Sequence, residues 1–305
     1  MLAYGLKRLA LAALVALTVS LITFSMVYVS GDPAVAIAGE GARAEDIENV
    51  RKFYGFDRPI YVQFGDWLGS ALTGDLGRSY NLRKPVAEVI FQRLPTTMLL
   101  GACAIGFALV LAIPLGVLAA VRPNSLFDRF ALAIAVVGQA MPSFWFALTL
   151  ILWLGVNWRL LPITGQDSWA NFVMPSIALG YFVTPAVMRL TRAGMLEVLA
   201  SDYIRTARAK GLSPMRVIWK HAFGNISVRL VTILALSYAG LLEGAVVTET
   251  VFSWPGTGLL LNDAIFQRDL PLLQGTILVL AMFFVVLNLA VDVMQTALDP
   301  RIQRA

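Results

Sequence analysis

Between Arg93 and Arg122 this chain carries no charged residue, and nothing constrains its fold more than that run. At about 1.5 Å per residue, a helix of roughly twenty residues crosses the 30 Å hydrocarbon core of a bilayer. Comparable uncharged runs occupy Leu9–Gly31, Phe130–Trp158, Ser168–Met188 and Leu270–Val291, and Leu230–Phe252 is interrupted only by Glu243 and Glu249. Hydrophobic residues make up 58% of the chain and charged residues 14%, with mean hydropathy +0.73. Such a chain has too little polar surface to solvate a globule. The expected fold class is an all-α integral membrane protein with six transmembrane helices and a small external helical subdomain after the first. A secretory signal peptide is the alternative for the first run, since Ala36-Ile37-Ala38 resembles a cleavage site. The apolar part of a signal peptide spans only about 7–15 residues, so an uncleaved anchor is expected.

Prolines punctuate these runs. Pro114 should kink the second span, and Pro175 and Pro185 fall inside the fourth. Met141-Pro142-Ser143 breaks the third span in its middle, which is tolerated only where neighbouring helices or a cavity satisfy the freed backbone groups. Pro142 is therefore a candidate for the lining of a pathway.

Charge sets the orientation. With Lys7 and Arg8 inside, the segments 122–129, 189–229 and 299–304 face the cytoplasm. They hold Arg122, Arg129, Arg189, Arg192, Arg205, Arg208, Lys210, Arg216, Lys220, Arg229, Arg301 and Arg304 against Asp128, Glu197, Asp202 and Asp299. The short external loops carry only Arg159 and Arg268 as bases. This topology accounts for the net charge of +5 better than a nucleic-acid partner does.

The polar stretch from Asp32 to Arg93 alternates helix signals with Gly and Pro. Ile47, Val50 and Tyr54 share a helical face that ends at Gly55. Pro59 restarts a segment bearing Tyr61, Phe64, Trp67 and Leu68, aromatic residues suited to a membrane interface. After a turn at Thr73–Gly77, Pro85 opens a helix with Val86, Val89 and Ile90 on one side, running into the second span.

Glu197 to Asn225 is a basic island between two apolar runs. Leu196, Leu199, Ala200, Tyr203, Ile204 and Ala207 recur at helical spacing, which predicts one amphipathic helix with Glu197, Ser201, Asp202, Arg205 and Arg208 on its other side. Gly211 supplies a left-handed C-terminal cap. Ser213 and Pro214 then start a second helix with Met215, Ile218, Trp219 and Ala222 on one face.

RTARAKG at Arg205–Gly211, reached through Asp202-Tyr203-Ile204 and followed by His221-Ala222-Phe223, resembles the EAA loop of binding-protein-dependent ABC importer permeases. Ala207 and Gly211 match the family pattern. Arg205 stands where many members have Glu, and Gly224 where many have Pro. Those departures resemble the dipeptide, oligopeptide and nickel branch. FYGFDRPIYVQFGDWLGSALTGDLGRSY resembles the first-type permease subunit of that branch, and FSWPGTG and Asp299-Pro300-Arg301 also look like it.

The resemblance implies the type I ABC importer permease fold in the bacterial inner membrane, with both termini cytoplasmic. Its parts would be an anchor over 1–31, a periplasmic subdomain over 32–93, a five-helix permease core over 94–298 containing the coupling loop 196–225, and a tail over 299–305. Asp202, Tyr203, Arg205, Ala207, Lys210, Gly211 and His221 would meet an ATPase subunit. The implied partners are a paralogous permease, two ATPase subunits and a solute-binding protein, in contact with membrane lipid. Cargo would be di- or oligopeptides, with nickel, glutathione or opines as alternatives.

No Lys follows a Gly anywhere, so a phosphate-cradling GxxxxGK[ST] loop is absent and ATP with Mg would be bound by the partner ATPases. No cofactor, metal or catalytic residue is expected in this chain. Cys103 and His221 are single, which leaves little for a metal site or a nucleophilic triad. An ion-driven secondary transporter would carry ionisable residues near the bilayer midplane, whereas Glu243 is the one acidic residue set well inside a span. Glu243 lies roughly 20 Å above Arg229 at helical rise and is the chief candidate for the pathway. Glu249 is a further candidate, but it lies nearer the interface in TETVFSWPGTG, a segment that resembles the family, and its expected role is structural.

Overall fold

A computed structural model describes residues 2–29, 31–39 and 41–298. Among them the regular structure is helical, apart from one isolated β-bridge between Arg78 and Pro85. The helices are α1 (Leu2–Val29), α2 (Pro33–Ala38), α3 (Ala44–Tyr54), α4 (Ile60–Leu72), α5 (Val86–Val121), α6 (Leu126–Ala140) and α7 (Ser143–Leu150), which continues as a π-helical turn over Ile151–Asn157. They are followed by α8 (Trp169–Gly180), α9 (Thr184–Leu199), α10 (Asp202–Ala209) and α11 (Pro214–Arg216), the last continued by a π-helical turn over Val217–Phe223. The chain closes with α12 (Gly224–Val251), α13 (Thr257–Phe266) and α14 (Leu270–Leu298). They form two compact units, Met1–Pro95 with Gly256–Leu289, and Thr96–Pro255 with Ala290–Ala305. The segment 256–289 packs with the N-terminal region.

In the first unit α3 ends where its glycine dictates. Gly55 is left-handed at φ +70, its N–H donates to the Lys52 carbonyl, and the Phe56 N–H donates to the Arg51 carbonyl. Val86 and Ile90 at the start of α5 are fully buried against Leu76, Leu260, Leu272 and Leu278. Gly275 lets α14 approach so closely that a Cβ there would lie 2.5 Å from Val86. Asp269 is buried at the head of α14 and accepts hydrogen bonds from Ser79 Oγ, from the Asn81 N–H at 3.1 Å and from the Leu272 N–H at 3.3 Å. A carboxylate out of water needs such donors, so the turn before α5 and the start of α14 are fixed to one another.

In the second unit α5 presents Leu100, Ala104, Ala108 and Ala112, all fully buried and four residues apart. Small residues let helix backbones meet, which is how helices associate where lipid removes the hydrophobic drive between them. A Cβ at Gly180 of α8 would fall 2.3 Å from the Ala104 carbonyl oxygen, and one at Gly116 of α5 would fall 2.8 Å from the Met188 carbonyl oxygen of α9. Phe130, Val136, Phe144, Trp145, Leu148 and Trp153 are exposed, an apolar outer surface suited to lipid.

Among the described residues two helical segments, Val86–Val121 and Leu270–Val291, are each long and apolar enough to cross a membrane, and α1 adds an apolar stretch over Ala10–Met26. α5 runs unbroken through Pro114, where a kink is expected from the sequence. The third expected span is instead a corner: Leu126–Ala140 and Ser143–Asn157 are bent by 106°. Met141 at φ −83, ψ 132 and Pro142 at φ −61, ψ 138 are both extended, because proline pushes its predecessor out of the helical region. Each arm is about 22 Å long at helical rise, too short to cross alone. The fourth run bends by 63° between α8 and α9. A third pair, Pro214–Ser227 with Arg229–Leu242, is bent by 54°, and counting each of the three bent pairs as one span gives up to five spans among the described residues.

Candidate coupling site

The basic island is built from the end of α9, α10 and the segment leading into α12. Sequence periodicity predicts one helix from Leu196 to Ala207, and the structure breaks it. α9 stops at Leu199, Ser201 is extended at φ −73, ψ 154, and α10 starts at Asp202. Ser201 Oγ donates to the Val198 carbonyl at 2.6 Å, closing the end of α9, while Asp202 sits in the first turn of α10 where the helix dipole favours an acid. The break turns Ala200 and Tyr203 outward. Ile204 and Ala207 still face the core, with 0% and 7% exposure.

The other end of α10 is closed by backbone alone. Gly211 lies at φ +75, its N–H donates to the Arg208 carbonyl at 2.9 Å, and the Leu212 N–H donates to the Ala207 carbonyl at 3.4 Å. This pair of bonds is the Schellman closure, and it needs a left-handed residue at the Gly211 position. A Cβ on Gly211 would meet nothing within 4 Å, so the glycine is present for its backbone angle and stands at an open surface.

The second half of the island departs from α-periodicity. Because Val217–Phe223 is π-helical, residues five apart share a face, and Val217 and Ala222 are the buried pair. Met215 and Trp219, expected on the packed face, are 66% and 42% exposed. Asn225 Nδ2 donates to the Tyr203 hydroxyl at 2.6 Å and to the His221 carbonyl at 3.2 Å, which brings Tyr203 and the half-buried His221 segment together.

Asp202, Arg205, Lys210 and Gly211 are exposed, as are Arg208, Arg216 and Lys220. The face is therefore basic. Arg205 and Asp202 are 3.4 Å apart and both open to solvent, a pair of little energetic weight. Ala207 is the exception among the expected docking residues. It packs inside the chain at 7% exposure, where its small size serves the seating of α10.

Pro142 is exposed at the corner before α7. Glu249 is not on an open pathway: it is fully buried and accepts a hydrogen bond from Thr97 Oγ1 at 2.7 Å. Glu243 lies in α12, but its side chain is outside the described residues, as is the tail from Asp299. Among the described residues no three His, Cys, Asp or Glu side chains are placed to share a metal ion.

One ion pair escapes the sequence altogether. Asp128 at the start of α6 is 1% exposed and takes both ends of the Arg192 guanidinium, Nε to Oδ1 at 2.6 Å and Nη2 to Oδ2 at 2.7 Å. The partners are 64 positions apart, and the Ser125-to-Asp128 spacing marks only a helix start, so nothing local joins the two residues.

Comparison with known proteins follows the same geography. The family described as "Binding-protein-dependent transport system inner membrane component" matches residues 112–304, and "Binding-prot-dependent transport system membrane comp, N-term" matches residues 1–101. The dipeptide transport system permease protein DppB of Escherichia coli (strain K12) is 38% identical over 99% of both chains. The glutathione transport system permease protein GsiC of Escherichia coli (strain K12) is 40% identical, also over 99% of both. In fold, the chain is similar to a structure described as inward-facing conformations of the MetNI methionine ABC transporter. The TM-score is 0.58 at 17% identity, over 69% of this chain and 96% of that one.

Proposed function

This chain belongs to the binding-protein-dependent transport system inner membrane components, and on that premise we propose that it forms half of the pathway of an ATP-driven importer of di- and oligopeptides. It is a transport subunit and not an enzyme, since ATP is hydrolysed by separate subunits. Its implied partners are a paralogous permease, two ATPases that bind ATP and Mg, and a solute-binding protein. The proposed topology has six spans in the inner membrane, α1 being the first, with both termini cytoplasmic. Peptide cargo is supported by the full-length similarity to dipeptide and glutathione permeases, whose cargoes are both small peptides. Glutathione is the second reading on the same ground. The ligand that co-purifies with the cognate binding protein decides between them.

The coupling role rests on one observation: α10 is a short, exposed, basic helix closed at its end by a glycine with open space around it. It has the form of a plug for a cleft in a partner. ATP-driven closure of the ATPases would move α10, and rigid-body rearrangement of the packed helices above it would open the pathway to the other side. Gly211→Val strains the left-handed cap and adds bulk at the docking face. The expected result is an assembled complex whose binding-protein-stimulated ATP hydrolysis and peptide uptake both fall by roughly tenfold, in line with typical coupling energies of 1–3 kcal/mol. Assembly with wild-type stimulated hydrolysis and uptake would falsify the assignment.

A further inference from the structure

We propose that Asp128 and Arg192 pin α6 to α9, so that the two helices move as one lever carrying displacement of α10 to the Met141–Pro142 corner. The proposal rests on the reading of α10 as the coupling helix and adds the positioning residues through which it acts.

α9 is a rod between two joints. At one end it meets α8 at a 63° bend, and at the other the extended Ser201 separates it from α10 by a single turn of chain. Its flanks are of two kinds. Towards α5 it packs on Gly116, which touches Thr191 and Met188, and towards α12 its own Gly194 meets Ile226. The polar contact towards α12, Arg229 Nη1 to Glu197 Oε2 at 3.0 Å, is open to solvent on both sides and so holds α9 weakly. The apolar contacts are close but non-directional, and such surfaces tolerate small sliding.

Towards α6 the contact is directional. Both oxygens of Asp128 are engaged by the Arg192 fork, and Oδ2 also accepts the Asn124 N–H at 2.9 Å. A bidentate guanidinium–carboxylate pair fixes angle as well as distance. One turn earlier on α9, Arg189 Nη1 donates to Gln139 Oε1 at 2.9 Å. Asp128 lies near the first residue of α6 and Gln139 next to its last. Two attachments at opposite ends of α6 fix orientation as well as position.

A buried ion pair adds little stability over an apolar pair of the same volume, and its best-attested use is to set register. Here the register is that of α6 on α9. Because α6 ends at the 106° corner before α7, any tilt of α9 is delivered to Pro142.

The test uses the full complex with its ATPases and binding protein in lipid bilayers. Spin labels at the exposed positions Val136 on α6, Ala193 on α9 and Val110 on α5, in a chain with Cys103 replaced, report pairwise distances without and with trapped ATP. The 136–193 distance should stay constant while the 136–110 distance changes by about 2 Å or more, the usual scale of helix shifts. Arg192→Lys keeps the charge and removes the fork. It should leave stimulated hydrolysis near wild type and raise the ATP spent per peptide roughly fivefold, within the range seen for coupling mutations. The charge-swapped pair Asp128→Arg with Arg192→Asp should recover part of that loss. A 136–193 distance that changes as much as 136–110 overturns the lever, as does an Arg192→Lys complex with wild-type ATP per peptide, or one losing hydrolysis and uptake in equal proportion. If Arg192→Lys does not assemble, the distances in the otherwise unaltered protein decide. Absence of peptide uptake by the wild-type complex would overturn the cargo reading and leave the distance test standing.

Discussion

Glu249 illustrates what a single residue's burial changes. Its place inside an apolar run makes it a pathway candidate as well as a structural residue, and its carboxylate receives the Thr97 hydroxyl inside the protein, as a structural role requires. Nothing near Glu249 in sequence announces a partner 152 positions away. Thr97→Val removes the donor and leaves a buried acceptor short of a bond, which costs about 1–3 kcal/mol. The expected outcome is a melting temperature several degrees lower in detergent, with peptide uptake per folded complex unchanged. Uptake lost without any change in melting would return Glu249 to the pathway. Gly211 is the opposite case, because its angle was legible: a glycine ending an amphipathic run before Ser-Pro has few other uses. Ala207 shows the limit of such reasoning, since small size by itself does not tell whether a residue faces a partner or its own core.

At the scale of elements, the sequence exposes what periodicity and punctuation control. Gly55, Pro59, Gly211 and the Ser213-Pro214 pair mark helix ends that the structure reproduces within a residue or two. It conceals whatever leaves the apolar stripe intact. The break at Ser201 is hidden because Leu196, Leu199, Ile204 and Ala207 face the core on both sides of it. The π-turn is hidden because its five-residue spacing mimics a poor α-stripe, and that error leaves Met215 and Trp219 on the wrong face. Their exposure beside a basic surface has a consequence for docking. Truncating both, Met215→Ala with Trp219→Ala, should weaken ATPase retention on purified permease by roughly tenfold, as expected of apolar anchors at an interface. Unchanged retention in titrations of detergent-solubilised complex would assign the two side chains to lipid. Glu243, also on α12, can be tested by charge alone. Glu243→Gln should slow uptake of peptides with free amino termini more than that of N-acetylated peptides the binding protein still accepts, because a carboxylate at that depth attracts a passing ammonium group. An equal effect on both classes would mean the charge plays no part in passage.

For the molecule as a whole, topology remains the strongest reading from charge, and it has a direct measurement. Ser70 at the end of α4 and Ser213 before α11 are both exposed, so reagent access at either depends on which side of the membrane it faces. With Cys103 replaced, a membrane-impermeant thiol reagent applied to intact cells should label a cysteine at position 70 and not one at 213. Labelling of position 213 in intact cells would overturn the N-inside arrangement. The division into two units was less legible, because no local pattern ties Gly256–Leu289 to the N-terminal region.

That division has a temporal meaning. The Ser79–Asp269 bond spans 190 positions, and Val86 and Ile90 find Leu272 and Leu278 only across a comparable stretch of chain. A ribosome delivers the early half of this core long before the late half, so the nascent protein must hold an unfinished apolar surface at the membrane until its final helix is inserted. Domains assembled from distant segments are vulnerable in that interval. The Asp269 bonds thus form only once residues 256–289 have joined the N-terminal region. A chain ending at Pro255 should be cleared by membrane proteases faster than the full chain in a pulse-chase experiment, and supplying residues 256–305 as a separate polypeptide should slow that clearance.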